Sequence, residues 1–283
     1  VDETDFRIIG HLFERPLDGP EAVARSVGLT RNAVARRLRL LQEGPMRLGF
    51  WALPHHTLLG RASTVNLHAP PSPPDGRAIL ASDDVLAYDV NHDGLCAVTT
   101  WSRPDAGRAP SDALDRMLGA AVARYTDATP GPAAPHLSRL EWKVVAAWTV
   151  QPRASAAALS RASGLAPRTC ERARQRLLAS RAVRAGITLR EDHAEGLPVF
   201  RVFVQGHPDA AALRRVLGES FVSDVVREGA VHFARAPTAG AMMVTVDALR
   251  RLPGVTDVKL ILSREFALAG DRLAGWIRER VEG

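Results

Sequence analysis

Cysteine is nearly absent from this chain of 283 residues, which has two, Cys96 and Cys170. Two thiols so far apart, in no metal-ligand spacing, read as small core residues rather than a disulfide framework, and a reducing cytoplasm is the simplest setting. Lysine is as scarce, since arginine supplies 35 of the 37 cations. No apolar run approaches the ~18 residues of a membrane span. The opening "VDETDFRIIGHLFERP" lacks the plan of a signal peptide, so no membrane partner is expected. Spacing gives no glycine-rich phosphate loop, no paired metal ligands and no Ser–His–Asp arrangement, so no cofactor, metal or catalytic residue is assigned. The histidines His55, His56, His68, His92, His136, His193, His207 and His232 fall mostly one per loop or strand, where a lone histidine is more often structural or merely exposed.

What is present is a repeat. "GLTRNAVARRLRLLQEG" (28–44) returns as "GLAPRTCERARQRLLASR" (164–181), an offset of 136 residues. At that offset Asp5 falls on Glu141, Phe6 on Trp142, Ile8 and Ile9 on Val144 and Val145, Leu12 on Trp148, and Pro16 on Pro152. Arg25 falls on Arg161, Arg36 on Arg172 and Leu41 on Leu177. One inserted residue then aligns "MRLGF" (46–50) with "VRAGI" (183–187). The chain is read as an internal duplication, and its length exceeds the ~100–150 residues of a typical domain. A composition 46% hydrophobic and 24% charged supports ordinary cores.

The net charge of +6 is unevenly spread: 14 arginines face 16 acids over residues 1–135, and 23 cations face 15 acids over 136–283. Arg25, Arg31, Arg36, Arg37, Arg39 and Arg47 surround the first quoted segment. Arg161, Arg168, Arg172, Arg174, Arg176, Arg181 and Arg184 surround the second. Clustering on two related segments fits contact with a polyanion.

Each copy begins with three helical segments, near 5–14, 19–27 and 30–43, then 139–150, 155–163 and 167–180. Gly28 closes the second helix and Thr30 caps the third. On that third helix Val34, Leu38 and Leu41 share one side, and Asn32, Ala35, Arg36 and Arg39 share the other. Arginine can read guanine and asparagine adenine in a major groove, and either can bind phosphate. Arg168, Glu171, Arg172 and Gln175 take the corresponding places in the second copy. There Arg174 stands where Leu38 is core, so that helix either rotates or ends more loosely. "RLGFWALPHHTLLG" reads as a small β wing. Strands are expected at 61–69, 84–91, 95–102 and 199–206, and helices at 111–125 and 209–220. Residues 246–266 close as helix, turn and strand. The loop "APPSPPDG" (69–76) leaves little room for a first sandwich helix.

Residues 2–60 resemble the winged helix-turn-helix head of the Lrp/AsnC (leucine-responsive regulator) family, through Asp5, Gly28-Leu29-Thr30, Val34, Arg36-Arg37, Leu38 and Leu41. "LRRLPGVTDVKLILSREF" (249–266) resembles the end of that family's ferredoxin-like βαββαβ domain. The resemblance implies an α+β fold of two copies, each a winged helix-turn-helix head followed by a ferredoxin-like sandwich, the first abbreviated. The expected boundaries are 1–60, 61–128, a linker at 129–138, 139–195 and 196–283. It also implies a cytoplasmic transcription regulator, not an enzyme, binding double-stranded DNA and pairing into a dimer through the sandwich domains. The DNA-binding set is Thr30, Arg31, Asn32, Arg36, Arg37, Arg39, Arg168, Thr169, Arg172, Gln175 and Arg176. An amino acid or other small-metabolite effector would lie at the turns Asn91, His92, Asp93, Gly94 and Arg227, Glu228, Gly229. The tandem plan also resembles siroheme decarboxylases, although the His-Cys-Tyr-Arg type signature associated with them is not seen. The third alternative is a ligand sensor or assembly protein that no longer binds DNA.

Overall fold

The computed structural model describes residues 2–44, 47–107, 109–127, 131–133, 136–189 and 199–283. The first copy runs α1 (Glu3–Glu14), α2 (Pro20–Val27), α3 (Arg31–Glu43), β1 (Gly49–Pro54), β2 (Ala62–His68), α4 (Gly76–Ala81), β3 (Val85–Asn91), β4 (Cys96–Ser102), α5 (Ala109–Leu118) and β5 (Ala121–Thr126). The second runs α6 (Arg139–Val150), α7 (Ala156–Ser163), α8 (Pro167–Ala179), β6 (Val183–Thr188), β7 (Val199–Gly206), α9 (Ala210–Leu217), β8 (Ser220–Val226), β9 (Gly229–Arg235), α10 (Ala239–Arg250) and β10 (Val255–Ile261). It continues into β11 (Ser263–Leu268) and α11 (Gly270–Glu282).

Local chemistry explains why the heads match. Helix α1 starts with a capping box, Asp2 accepting from the Asp5 amide and Asp5 from the Asp2 amide. Ser138 and Glu141 build the same box on α6. Helices α2 and α7 end on Gly28 and Gly164 at φ 74° and 71°, a left-handed turn that glycine enters without steric cost. Phe6, Ile8, Ile9, Leu12, Val23, Val34, Leu38 and Leu41 bury into the first head's core, as the helical spacing predicts.

Both sheets have the ferredoxin-like order. Strands run β10-β7-β9-β8 in one sheet and β3-β4-β2-β5 in the other, which β11 extends beside β3. The segment expected as one helix over 111–125 is a helix that stops at Leu118 and a strand that starts at Ala121. Gly119, at φ 83°, makes the break. The first sandwich helix fits after all, shortened to the six residues of α4. The boundary at 195/196 and residues 129, 130, 134 and 135 of the linker lie outside the described residues.

The two sheets pack face to face around Leu67, Tyr125 and Phe203, with Val65, Ala97, Val231 and Ile261 against them. The Tyr125 and Phe203 rings meet edge-on at 4.9 Å. Across this interface the His92 amide donates to the Leu262 carbonyl and the Arg227 amide to the Thr126 carbonyl. The duplication relates these bonds, so the copies stand about an approximate two-fold axis. The wings obey the same axis. Each is a single strand, and β1 pairs antiparallel with β6 so that Phe50 faces Ile187, the residue aligned with it. The faces expected to join two chains are therefore joined within one.

Candidate DNA-binding surface

Helix α3 presents the candidate residues because its other face is committed. Val34, Leu38 and Leu41 are buried, and Thr30 accepts from the Ala33 amide at the N-terminus. Arg31, Asn32, Arg36 and Arg39 are exposed on the opposite side. Among the described residues none of the four has a hydrogen-bond or ion-pair partner. Arg37 does not belong with them. Its guanidinium donates to Asp2 at 2.8 Å and Asp5 at 2.7 Å, clamping α3 to the start of α1. The hydrogen bonds that Arg37 donates to Asp5 and Asp2 push its pKa up. Burial pushes the Asp2 carboxyl up, but the Asp5 amide and Arg37 outweigh it and hold Asp2 below its usual value.

The second head is built alike and presents less. Helix α8 buries Cys170, Ala173 and Leu177, so it has turned until Ala173 fills the core. This resolves the conflict at Arg174, which lies at the edge, donating to the Ala154 carbonyl at 3.2 Å and pairing with Glu171 at 2.7 Å. Gln175 donates to Glu171, and Arg176 pairs with Glu141, the counterpart of Asp5. Of the proposed second set, Arg168 and Arg172 are exposed without a partner among the described residues, while Thr169 is half-buried.

The sequence did not reveal what fixes one head against the other. Arg153 donates to the Asp18 carbonyl of the first head at 2.6 Å and lies over the Phe50 ring at 4.5 Å. The heads also rest on different supports. Helix α1 packs directly on β8, with Phe6 against Phe221 and Phe233 at 5.4 and 5.5 Å. On the other side β11 adds to β3, and α11 packs against α6 through a core that holds Trp142, Trp148, Leu273 and Trp276. Asp127 makes one isolated antiparallel bridge to Val226.

The candidate effector turns are used as interface. Asn91 is buried at the end of β3, and the Asp93 carboxylate accepts from the Leu95 amide. His92 and Arg227 make the paired backbone bonds across the two-fold. Gly94, at φ 87°, is a turn glycine. Gly229 is required differently, because a Cβ there would stand 2.2 Å from the Val204 carbonyl. The Glu228 carbonyl accepts from the Gly206 amide at 2.7 Å.

No family model matches the sequence, and no curated protein matches it significantly. Among solved structures, siroheme decarboxylase NirDL is similar over 99% of both chains at 13% identity and a TM-score of 0.47. The Mycobacterium tuberculosis leucine response regulatory protein LrpA matches 43% of this chain and 86% of its own at 21% identity and a TM-score of 0.29. E. coli AsnC matches 44% and 90% at 11% identity and a TM-score of 0.27. At such identities the likeness concerns the fold, a helix-turn-helix head with a ferredoxin-like domain in the Lrp/AsnC manner. One expectation is corrected here. The reading of the chain as no enzyme does not stand, because a structure similar to it over 99% of both chains is that of an enzyme.

Proposed function

We propose that the chain is a DNA-binding transcription regulator whose two heads read one double-stranded site unequally. The observation that supports this best is helix α3. It exposes three arginines and an asparagine, all unpartnered among the described residues, on a helix whose other face is core. Such donors suit base edges and phosphates in a major groove. The approximate two-fold that relates α3 to α8 is the symmetry that paired half-sites require. On this reading Arg31, Asn32, Arg36 and Arg39 read bases, and Arg168 and Arg172 hold phosphates. One chain carries both heads, so pairing of chains is not needed to read two half-sites. An amino acid or other small metabolite is the proposed effector, and the cytoplasm the proposed setting.

The test is selection of genomic fragments on the purified protein, then fluorescence anisotropy across a salt series. Arg36→Ala is expected to cost ~1–3 kcal/mol and relax specificity. Arg172→Ala should weaken all sites alike and lower the salt slope by about 0.9. No enriched fragment, with and without a panel of amino acids, would overturn the regulator reading. A Soret band retained from cell extract would instead favour a tetrapyrrole substrate, the class that the siroheme decarboxylase acts on.

A further inference from the structure

An arginine-lined cleft of about 370 Å³ opens between the exit of the first head and helix α11, and no residue of α3 or α8 lines it. Arg61, just before β2, lines it. Its side chain is nine-tenths buried, and its Nη1 donates to the Trp101 carbonyl at 2.7 Å and to Asp84 at 3.3 Å. Its guanidinium lies over the Trp276 ring at 3.8 Å, and Trp276 stacks on Trp101 at 6.2 Å. One nitrogen of the fork is thus engaged, the plane is fixed by an aromatic floor, and the group also lines a second, adjoining cleft. Arg103 and Arg280 line the same space, each exposed and without a hydrogen-bond or ion-pair partner among the described residues. Burial draws the Arg61 pKa down against the opposing pull of Asp84, and Arg103 adds to the lowering while Glu279 opposes it. Two acids share the wall, Asp105 and Glu279, also without ion-pair partners among the described residues.

We infer that this cleft binds a small oxyanionic metabolite, a carboxylate or a phosphate ester, that also carries hydroxyl or ammonium donors. A planar guanidinium held by packing is suited to such a group, because little freedom is lost when it binds. Arg103 and Arg280 complete the charge from the rim, and Asp105 and Glu279 accept from the ligand's donors. The cleft joins the segment that leaves the first head (Leu59, Gly60) to the helix that supports the second. The assignment does not depend on the chain binding DNA.

The test uses the full chain with inorganic phosphate and with malate, read by tryptophan fluorescence and by thermal midpoint. Sodium chloride at equal ionic strength is the control. A saturable response to either anion is expected, weakened about tenfold or more in Arg103→Ala and in Arg280→Ala. Both positions are exposed, and circular dichroism confirms that each variant folds. Response to phosphate alone would mark a phosphate ester as the ligand, and response to malate alone a hydroxycarboxylate. A response that chloride reproduces, no saturable response to either anion, or undiminished binding in the Arg103→Ala/Arg280→Ala double variant would overturn the site.

Discussion

At the scale of single residues, neighbours in sequence take opposite tasks. Arg36 is exposed, with no partner among the described residues, while Arg37 ties α3 to α1 through Asp2 and Asp5. Arg37→Ala should therefore lower stability by about 1 kcal/mol or less, as exposed pairs do, and leave DNA affinity nearly unchanged. Denaturant unfolding beside anisotropy checks both. The paired arginines were legible as a motif, but their division of labour was not, because it depends on where the N-terminus of α1 ends up. Gly10 was equally opaque. A Cβ there would lie 2.0 Å from the Phe221 ring, so Gly10→Ala should destabilise by about 1–3 kcal/mol through overpacking. The reading of both cysteines as core residues agrees with the structure. Burial pushes the Cys96 thiol up to about 12, so it should resist alkylation in the native protein and react only after unfolding. Labelling of the native chain followed by mass spectrometry would show it.

At the scale of elements, helices were easier to foresee than strand partners. The periodicity of α1, α3, α6 and α8 is carried by residues a few positions apart, whereas β1 finds its partner more than a hundred residues away in β6. Helix α11 and the partner of strand β11 were hidden for the same reason. Nothing local in "SREFAL" says that it leaves its own copy to extend the other sheet. Removing residues 263–283 should uncover the β3 edge and the buried face of α6 together. Hydrogen exchange is expected to rise in α6–α8 and leave α1–α3 protected, and uniform protection would contradict this role. On β9, burial lowers the His232 pKa. A depressed histidine favours the neutral form in the fold, so its contribution is full above ~6.5, the usual unfolded value, and is lost as pH falls through the folded value. Thermal midpoints should drop from neutral pH towards pH 5, about 1.5 units below that unfolded value, and His232→Gln should flatten part of the drop.

At the scale of the whole molecule, the duplication was the most legible feature, because an offset of 136 residues survives low identity when the order of caps, glycines and apolar positions is kept. What it could not show is that the two heads differ in packing and in the faces they expose. One head sits on a sheet edge and exposes its basic face. The other sits on β11–α11 and has turned its third helix. If the chain is the regulator proposed above, an approximate two-fold between unequal heads calls for an operator with unequal halves. The direct measurement is the affinity of the purified chain for a selected site and for two symmetrised versions, each built from one half repeated. The natural site should bind more tightly than either version, with Arg36→Ala weakening mainly the half under the first head. Equal or tighter binding to a symmetrised site would contradict this.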